Sequence, residues 1–158
     1  MAQVNNNLWN RYKYKLNGLI IIIPLYFLYQ SLFPVFPTAW NTQKIAAFEV
    51  TPTPFNAEPP YLHDGSYAKD FVLKFTPGNI EHIRQAYVNI GNEALPLTML
   101  QKHHEGIVHG NKQGQEVHAI APKTFKAEHK MWLTIENWQG ESMVTSWDLP
   151  KSYYSPKI

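Results

Sequence analysis

The chain has 158 residues and a formal net charge of +2; 44% of its residues are hydrophobic and 16% are charged. This composition excludes a disordered or fibrous protein, because there is ample apolar material for a core, and the length suits a single domain. The chain has no cysteine, which excludes disulfide bonds, thiolate metal ligands and cysteine nucleophiles.

The basic charge is concentrated in residues 1–15, which contain Arg11, Lys13 and Lys15 and no acidic residue. The rest of the chain is close to neutral, so the net charge does not indicate a basic surface on a folded domain, and nucleic acid is not an expected partner. The chain also has no glycine-rich phosphate-binding motif, so nucleotide is not an expected partner either.

Residues 16–36 are predicted to form a transmembrane helix. This stretch carries no charged side chain and is long enough to cross a hydrocarbon core of about 30 Å. Because the basic segment 1–15 precedes it, that segment is expected in the cytoplasm. We therefore expect a single-pass protein of the inner (cytoplasmic) membrane, with its C-terminal domain in the periplasm or outside the cell. The alternative is a cleaved signal peptide, whose apolar region is usually shorter, about 7–15 residues.

The remaining chain is predicted to be all-β. Residues 37–60 read as a proline-rich linker that could contain a first strand, residues 61–150 as the folded domain and residues 151–158 as a tail. Short extended segments alternate with turn signals about every 8–12 residues, a pattern typical of a sandwich. We predict a small immunoglobulin-like β-sandwich ectodomain behind one transmembrane helix, with a compact barrel as the alternative.

Turn signals at residues 76–79, 110–114 and 139–141 divide these segments, and the last two are predicted hairpin loops. Alternation of apolar and polar residues then predicts which side chains face the core. The predicted core residues are Phe71, Leu73, Phe75, Ala86, Val88, Ile90, Leu133, Ile135 and Val144.

Four of the seven histidines fall within sixteen residues and are the candidate metal ligands. Imidazole is a common ligand of zinc and copper, and without cysteine a metal site must use histidine, carboxylate or methionine. The candidate ligands are His103, His104, His109 and His118.

The register of the hairpin around residues 110–114 decides which of these histidines converge. Pairing with an odd index sum places His103, His109 and His118 on one face, whereas an even sum groups His104 with His118. Met99 shares the parity of His103, and a thioether ligand would favour copper, particularly Cu(I). The competing interpretation is an exposed loop, because the spacing matches no known metal motif.

A second candidate site is His63 followed by Asp64 and Gly65. A histidine beside an aspartate can act as an oriented proton-transfer base, although Asp-Gly is more often simply a turn. No other catalytic motif is present, such as the GxSxG nucleophile elbow. The chain is therefore not expected to be an enzyme.

Three functions are consistent with these observations. The preferred one is a membrane-anchored accessory or scaffold protein, which contacts the lipid bilayer through residues 16–36 and acts by binding a membrane or periplasmic protein. The alternative is a periplasmic metal-handling protein that binds copper or zinc through its histidine-rich hairpin. The third is an enzyme with an unrecognised site around His63 and Asp64.

Overall fold

The structure is a computed structural model that describes residues 8–76, 79–112 and 114–154. It divides the chain into two compact units, one that ends at Val35 and one that begins at Phe36. Part of the predicted basic segment, residues 1–7, lies outside the described residues, as do two residues of the predicted turn at 76–79, one residue of the loop 110–114 and the last four residues of the tail.

The N-terminal unit is helix α1, Leu8–Leu32. Its stretch Tyr12–Leu32 is long enough and apolar enough to cross a membrane. Its 21 residues rise about 30 Å at 1.5 Å per residue, which matches the thickness of the hydrocarbon core. Pro24 lies inside the helix, as membrane helices tolerate. The helix ends two residues before Pro34, four residues earlier than predicted, because the residue before a proline disfavours helical backbone. A signal sequence near the N-terminus would meet the same criteria of length and composition.

The unit from Phe36 is mostly β, as predicted, and its described part contains nine strands. Helix α2, Leu97–Leu100, and a 3₁₀ turn at Ile80–His82 lie between strands, and a second 3₁₀ turn, Lys151–Tyr153, follows the last strand. The strands are β1 Gln43–Ile45, β2 Phe48–Pro54, β3 Tyr61–His63, β4 Ser66–Phe75, β5 Ile83–Gly91, β6 His109–Asn111, β7 Gly114–Ile120, β8 Lys130–Asn137 and β9 Ser142–Asp148.

These strands form one mixed sheet in the order β1-β2-β4-β7-β5-β8-β9, and β3 and β6 add to β4 and β7. Strands β1 and β9, at opposite ends of this order, lie in contact. Nearby, the indole N–H of Trp147 donates to the carbonyl of Asn41 at 2.6 Å. The immunoglobulin-like sandwich is therefore not confirmed, because a single sheet curls until it nearly closes into a barrel. Turn spacing and alternation do not encode whether strands divide between two sheets.

Strands β1 and β2 fall within residues 37–60, the segment predicted to be a proline-rich linker. Pro52 and Pro54 are buried and lie opposite Leu73 and Phe71 of β4. The carbonyl of Pro52 accepts a hydrogen bond from the Trp40 amide at 2.8 Å, so its backbone polar groups face away from β4. The missing proline N–H therefore removes no hydrogen bond from the β2–β4 ladder.

Of the nine predicted core residues, seven are buried, and Phe75 is partly buried against the same cluster. Val144 is 48% exposed, so this prediction was wrong. Val144 lies opposite Thr134, which alternates with the core residues Leu133 and Ile135 of β8, whereas Trp147 three residues later is buried. Burial of the large Trp147 indole determines which residues of β9 face the core, and Val144 is left on the opposite face.

A short segment, residues 106–108, lies between β5 and β7, and we call it the wedge segment. In the described part of the chain, β5 pairs directly with β7 only at Asn89 and Ile120. Beyond that pair, the Gly106 amide donates to the His118 carbonyl at 2.8 Å, and the Gly106 carbonyl accepts from Val88 at 2.7 Å. The wedge segment thus completes the seam between two strands that have separated.

Gly106 is required at this position for two reasons. Its φ is +84°, a backbone angle that residues other than glycine rarely adopt. A Cβ there would lie 3.0 Å from the Ile120 side chain and 3.1 Å from the Val88 carbonyl. This close approach fixes the path of the chain and brings Glu105 and His109, at its two ends, beside β7.

Candidate metal centre

Three histidines from three strands come together on the outer face of the sheet: His63 in β3, His109 in β6 and His118 in β7. The ring centroids of His63 and His118 are 5.2 Å apart, and their planes are nearly parallel at 15°. The centroids of His109 and His118 are 6.1 Å apart. The rings therefore form a continuous, solvent-accessible cluster.

The strand register explains this convergence. His118 lies opposite Asp70, and alternate residues of β4 share a face, so Asp70 points to the same side as Ser66, the partner of His63. His109 lies opposite Glu116, two residues before His118. All three imidazoles consequently project from the same face, opposite the core.

A tight turn at Asp64 and Gly65 returns β3 onto β4. Both residues have positive φ, 42° and 87°, as expected of the hairpin turns that Asp-Gly favours. The side chain of Asp64 is 82% exposed and its Oδ2 lies 3.9 Å from His63 Nδ1. The Asp-Gly pair is thus a turn that also places a carboxylate beside the first histidine.

Each of the three imidazoles has an oxygen acceptor beside its Nδ1. Carboxylate and carbonyl oxygens only accept hydrogen bonds, so in the neutral ring Nδ1 carries the proton and Nε2 carries the lone pair. Among the described residues, no hydrogen bond occupies these Nε2 atoms. The contacts of Nδ1 are His118 to Asp70 Oδ1 at 2.7 Å, His109 to the Ile107 carbonyl at 3.2 Å and His63 to Glu105 Oε1 at 3.5 Å.

Asp70 is held in place from a second side. The hydroxyl of Tyr61 donates to both of its carboxylate oxygens, at 2.9 and 3.1 Å. Burial, together with the hydrogen bond to Asp70, raises the pKa of Tyr61 to about 12. The phenol therefore stays protonated at neutral pH and continues to donate, which fixes Asp70 as the orienting group of His118.

Glu105 lies at the inner edge of the cluster and is only 7% exposed. Within the described part of the chain, its carboxylate has one hydrogen bond, the long contact with His63, and no lysine or arginine pairs with it. His63, Asp64 and Glu105 each offer a ligand atom, and these atoms lie within 4.8 Å of one another. Carboxylate oxygens thus adjoin the imidazoles.

The donor atoms of the cluster are nitrogen and oxygen. Imidazole and carboxylate suit Zn(II) and Cu(II), whereas Cu(I) prefers sulfur ligands. Met99, the thioether that the sequence pattern aligned with His103, lies in helix α2 and not on the strands that carry the cluster. The chemistry of the site therefore fits a divalent ion.

The structure brings together two of the four predicted ligands, His109 and His118. The hairpin has an odd index sum, because His109 lies opposite Glu116, and this register puts both on one face. His103 and His104 lie instead in the turn after α2, and no described side-chain contact joins them to the cluster. The third histidine of the cluster, His63, comes from the second candidate site.

Asp70 and Glu105 were missed by the sequence analysis. Asp70 alternates along β4 with Phe71 and Leu73, which face the core. This alternation could have predicted that the Asp70 side chain points outward. Glu105 is followed by Gly106, whose positive φ starts the wedge segment, but nothing in the sequence indicates that the wedge enters the sheet.

Two of the cavities on the described surface lie close to His109 and to Trp138, respectively. One, of about 340 Å³, lies between β5 and β7 and has His109 at its rim. The other, of about 410 Å³, lies beside Trp138. Neither is lined by His63 or Asp64, so they give no support to an enzyme site at that pair.

Residues 8–150 match the model of a family described as uncharacterised conserved protein UCP029505. This match spans helix α1 and all nine strands. No curated protein and no solved structure shows significant similarity to the chain. The chain therefore belongs to the family of uncharacterised conserved protein UCP029505.

Proposed function

We propose that this protein is a membrane-anchored metal-handling protein that binds a divalent zinc or copper ion through His63, His109 and His118. One observation carries the proposal: all three rings have their Nδ1 engaged by an oxygen acceptor. Metal-binding histidines are typically held this way, because the second contact fixes the tautomer and makes the ligating nitrogen more basic.

The spacing of the rings supports the same proposal. With metal–nitrogen bonds of about 2.0–2.1 Å, two imidazoles on one tetrahedral ion have centroids roughly 5 Å apart. The separations in this cluster are 5.2 and 6.1 Å. Because the ring planes of His63 and His118 are nearly parallel, the His63 ring, whose Nδ1 contact is the longest of the three, must turn for both Nε2 atoms to point at one ion. The side chains of both residues are partly exposed, which permits this rotation.

The same proposal includes the location of the domain. Arg11, Lys13 and Lys15 precede a run of uncharged residues, which supports a retained anchor in the inner membrane with its N-terminus in the cytoplasm. The domain would then face the periplasm or the exterior. A metal site on an exposed sheet face suits exchange of the ion with another component at the membrane surface.

Titration of the detergent-solubilised full-length protein with zinc and with Cu(II), read by calorimetry, tests the metal function. We expect one ion per chain with sub-micromolar affinity, and a loss of about 100-fold or more in His118→Ala because a ligand is removed. The double variant His103→Ala/His104→Ala is the matched control, since it removes two histidines outside the cluster, and it should bind as the wild type does. Equal binding by His118→Ala and the wild type would contradict the proposal.

A second candidate function, protein docking in an accessory role, is supported by the β8–β9 hairpin. Trp138 is 65% exposed, yet its indole N–H donates to the Glu81 carbonyl at 2.8 Å, which holds the ring on the surface. Val144 is exposed on the same hairpin. Fixed, exposed aromatic side chains are typical centres of protein interfaces. Cross-linking in native membranes should capture a partner that Trp138→Ala loses and His118→Ala retains.

A further inference from the structure

Glu105 stands out among the described acidic residues of the domain because it is buried and no described lysine or arginine lies beside it. The contact with His63 Nδ1, at 3.5 Å, is its single described hydrogen bond. A buried carboxylate is costly unless a charge or several hydrogen bonds compensate it. The contact with His63 is long, so Glu105 has fewer hydrogen-bond partners than a buried carboxylate ordinarily needs.

The position of Glu105 ties this carboxylate to the metal centre and to the seam of the sheet. It directly precedes Gly106, whose amide and carbonyl join β7 to β5. On its other side it faces His63, whose Nε2 is a proposed ligand. An ion bound at that nitrogen would make the His63 ring a stronger N–H donor and place positive charge close to the carboxylate.

We propose that Glu105 is the positioning residue of the metal centre: it orients His63 through Nδ1 and receives its counter-charge when an ion binds. The inference rests on the proposed metal function. It has a structural consequence, because the ion then stabilises the wedge segment through Glu105. Metal binding and the seam between β5 and β7 are coupled by this one carboxylate.

Asp64 provides the matched comparison. Its carboxylate also lies near His63 Nδ1, at 3.9 Å, but it is almost fully exposed, so water already compensates its charge. Glu105→Gln and Asp64→Asn each remove one negative charge beside the same ring with little change of shape. Only the first removes a buried one.

The experiment uses the full-length protein in detergent, measured in chelator and in saturating zinc. In chelator, Glu105→Gln is expected to unfold at a higher temperature than the wild type, because a buried carboxylate with too few partners is gone. Its zinc affinity is expected to fall about 10–100-fold, and zinc should protect the Gly106 and Val88 amides from hydrogen exchange less than in the wild type. Asp64→Asn should match the wild type in unfolding temperature, because its charge is exposed.

A rise in stability in chelator together with a fall in zinc affinity, both in Glu105→Gln, distinguishes the positioning role from a purely structural one. Lower stability of Glu105→Gln in chelator, or failure to fold, would overturn the claim that the carboxylate has too few partners. Unchanged zinc affinity would overturn its positioning role. If the wild type binds zinc and His118→Ala does not, while Glu105→Gln binds normally, the metal function stands and the inference about Glu105 fails. If the wild type binds no metal, the proposed function itself fails.

Discussion

Lys69 and Glu105 are both ionisable and both buried in the same domain, but their surroundings differ. The ammonium of Lys69 donates to the carbonyls of Asn56 and Glu58 at 2.9 and 2.7 Å and to the Asn56 side chain. It also faces the ring of Tyr153 at 5.7 Å. Glu105 has one long contact. A buried charge that serves the fold has its partners built in, whereas a buried charge without them points to a ligand.

The physical consequences of the two environments also differ. Burial lowers the pKa of Lys69, although nearby carboxylates oppose that shift. Its three oxygen acceptors nonetheless make it a clamp that holds the loop containing Asn56 and Glu58 against β4. Glu105 sits where a wedge enters the sheet and where three imidazoles converge. Lys69 holds two segments of the fold together, and Glu105 belongs to the proposed metal site.

The largest expected effect comes from breaking the clamp. Lys69→Met keeps the aliphatic stem but leaves the three acceptors without their donor, and we expect a loss of about 2–4 kcal/mol in the free energy of unfolding. Urea denaturation in chelator measures it, with Glu105→Gln as the opposing case. A loss below about 1 kcal/mol would show that water replaces the ammonium and that the comparison overstates the clamp.

Gly106→Ala tests the other half of the comparison by disturbing the seam beside Glu105. Positive φ disfavours alanine by about 1–2 kcal/mol, and the new Cβ would also crowd Ile120 and the Val88 carbonyl. We expect a total destabilisation of about 2–3 kcal/mol and weaker zinc binding. Gly140→Ala is the control for backbone strain, because its φ is also positive, +81°, but no atom lies within 4 Å of a Cβ there. Equal losses in the two variants would contradict a tightly packed wedge.

A smaller effect concerns Asp70, which orients His118 as Glu105 orients His63 but is already satisfied by Tyr61. Asp70→Asn retains an acceptor and removes the charge, so we expect about a tenfold loss of zinc affinity and little change of stability in chelator. Calorimetric titration and thermal unfolding measure the two quantities. A rise in the stability of ion-free Asp70→Asn, like that expected for Glu105→Gln, would erase the distinction between the two carboxylates.

The smallest expected effect is on the free energy of unfolding in alkaline solution. It concerns Tyr153, whose ring faces the Lys69 ammonium. Burial raises the pKa of Tyr153 to about 12 from its usual value of 10.0. The folded state thus holds this proton more tightly, and the resulting stability is complete below pH 10 and is lost as the pH rises towards 12. The free energy of unfolding of Tyr153→Phe should therefore decline less than that of the wild type between pH 10 and 12. Parallel declines would place the phenol in water.

The sequence allowed the local features of this fold to be predicted. Alternation indicated which side chains of β4, β5 and β8 face the core. For the β6–β7 hairpin the sequence left two registers open, and the structure has the odd one, which places His109 with His118. Alternation failed at Val144, where a neighbouring tryptophan decided which face of β9 is buried. Closure of the sheet into a barrel also depends on contacts between β1 and β9, which no local pattern specifies.

The composition of the site was less predictable because it depends on long-range pairing. His63 reaches His118 only because β4 pairs with both β3 and β7, and no periodicity in the sequence encodes that arrangement. Glu105 is buried by the path of the wedge segment, and a Glu-Gly dipeptide ordinarily indicates an exposed loop. Strand parity would place His103 with His109 in the odd register, but His103 and His104 lie in the segment between α2 and the wedge segment, outside any strand, so strand parity does not apply to them.

X-ray absorption spectroscopy of the zinc-loaded full-length protein tests the central claim most directly, because it counts the imidazoles around the ion. We predict three imidazole nitrogens at about 2.0–2.1 Å from the zinc ion, falling to two in His63→Ala and unchanged in the His103→Ala/His104→Ala control. A zinc environment of oxygen ligands alone, or one that His63→Ala leaves unaltered, would contradict this claim.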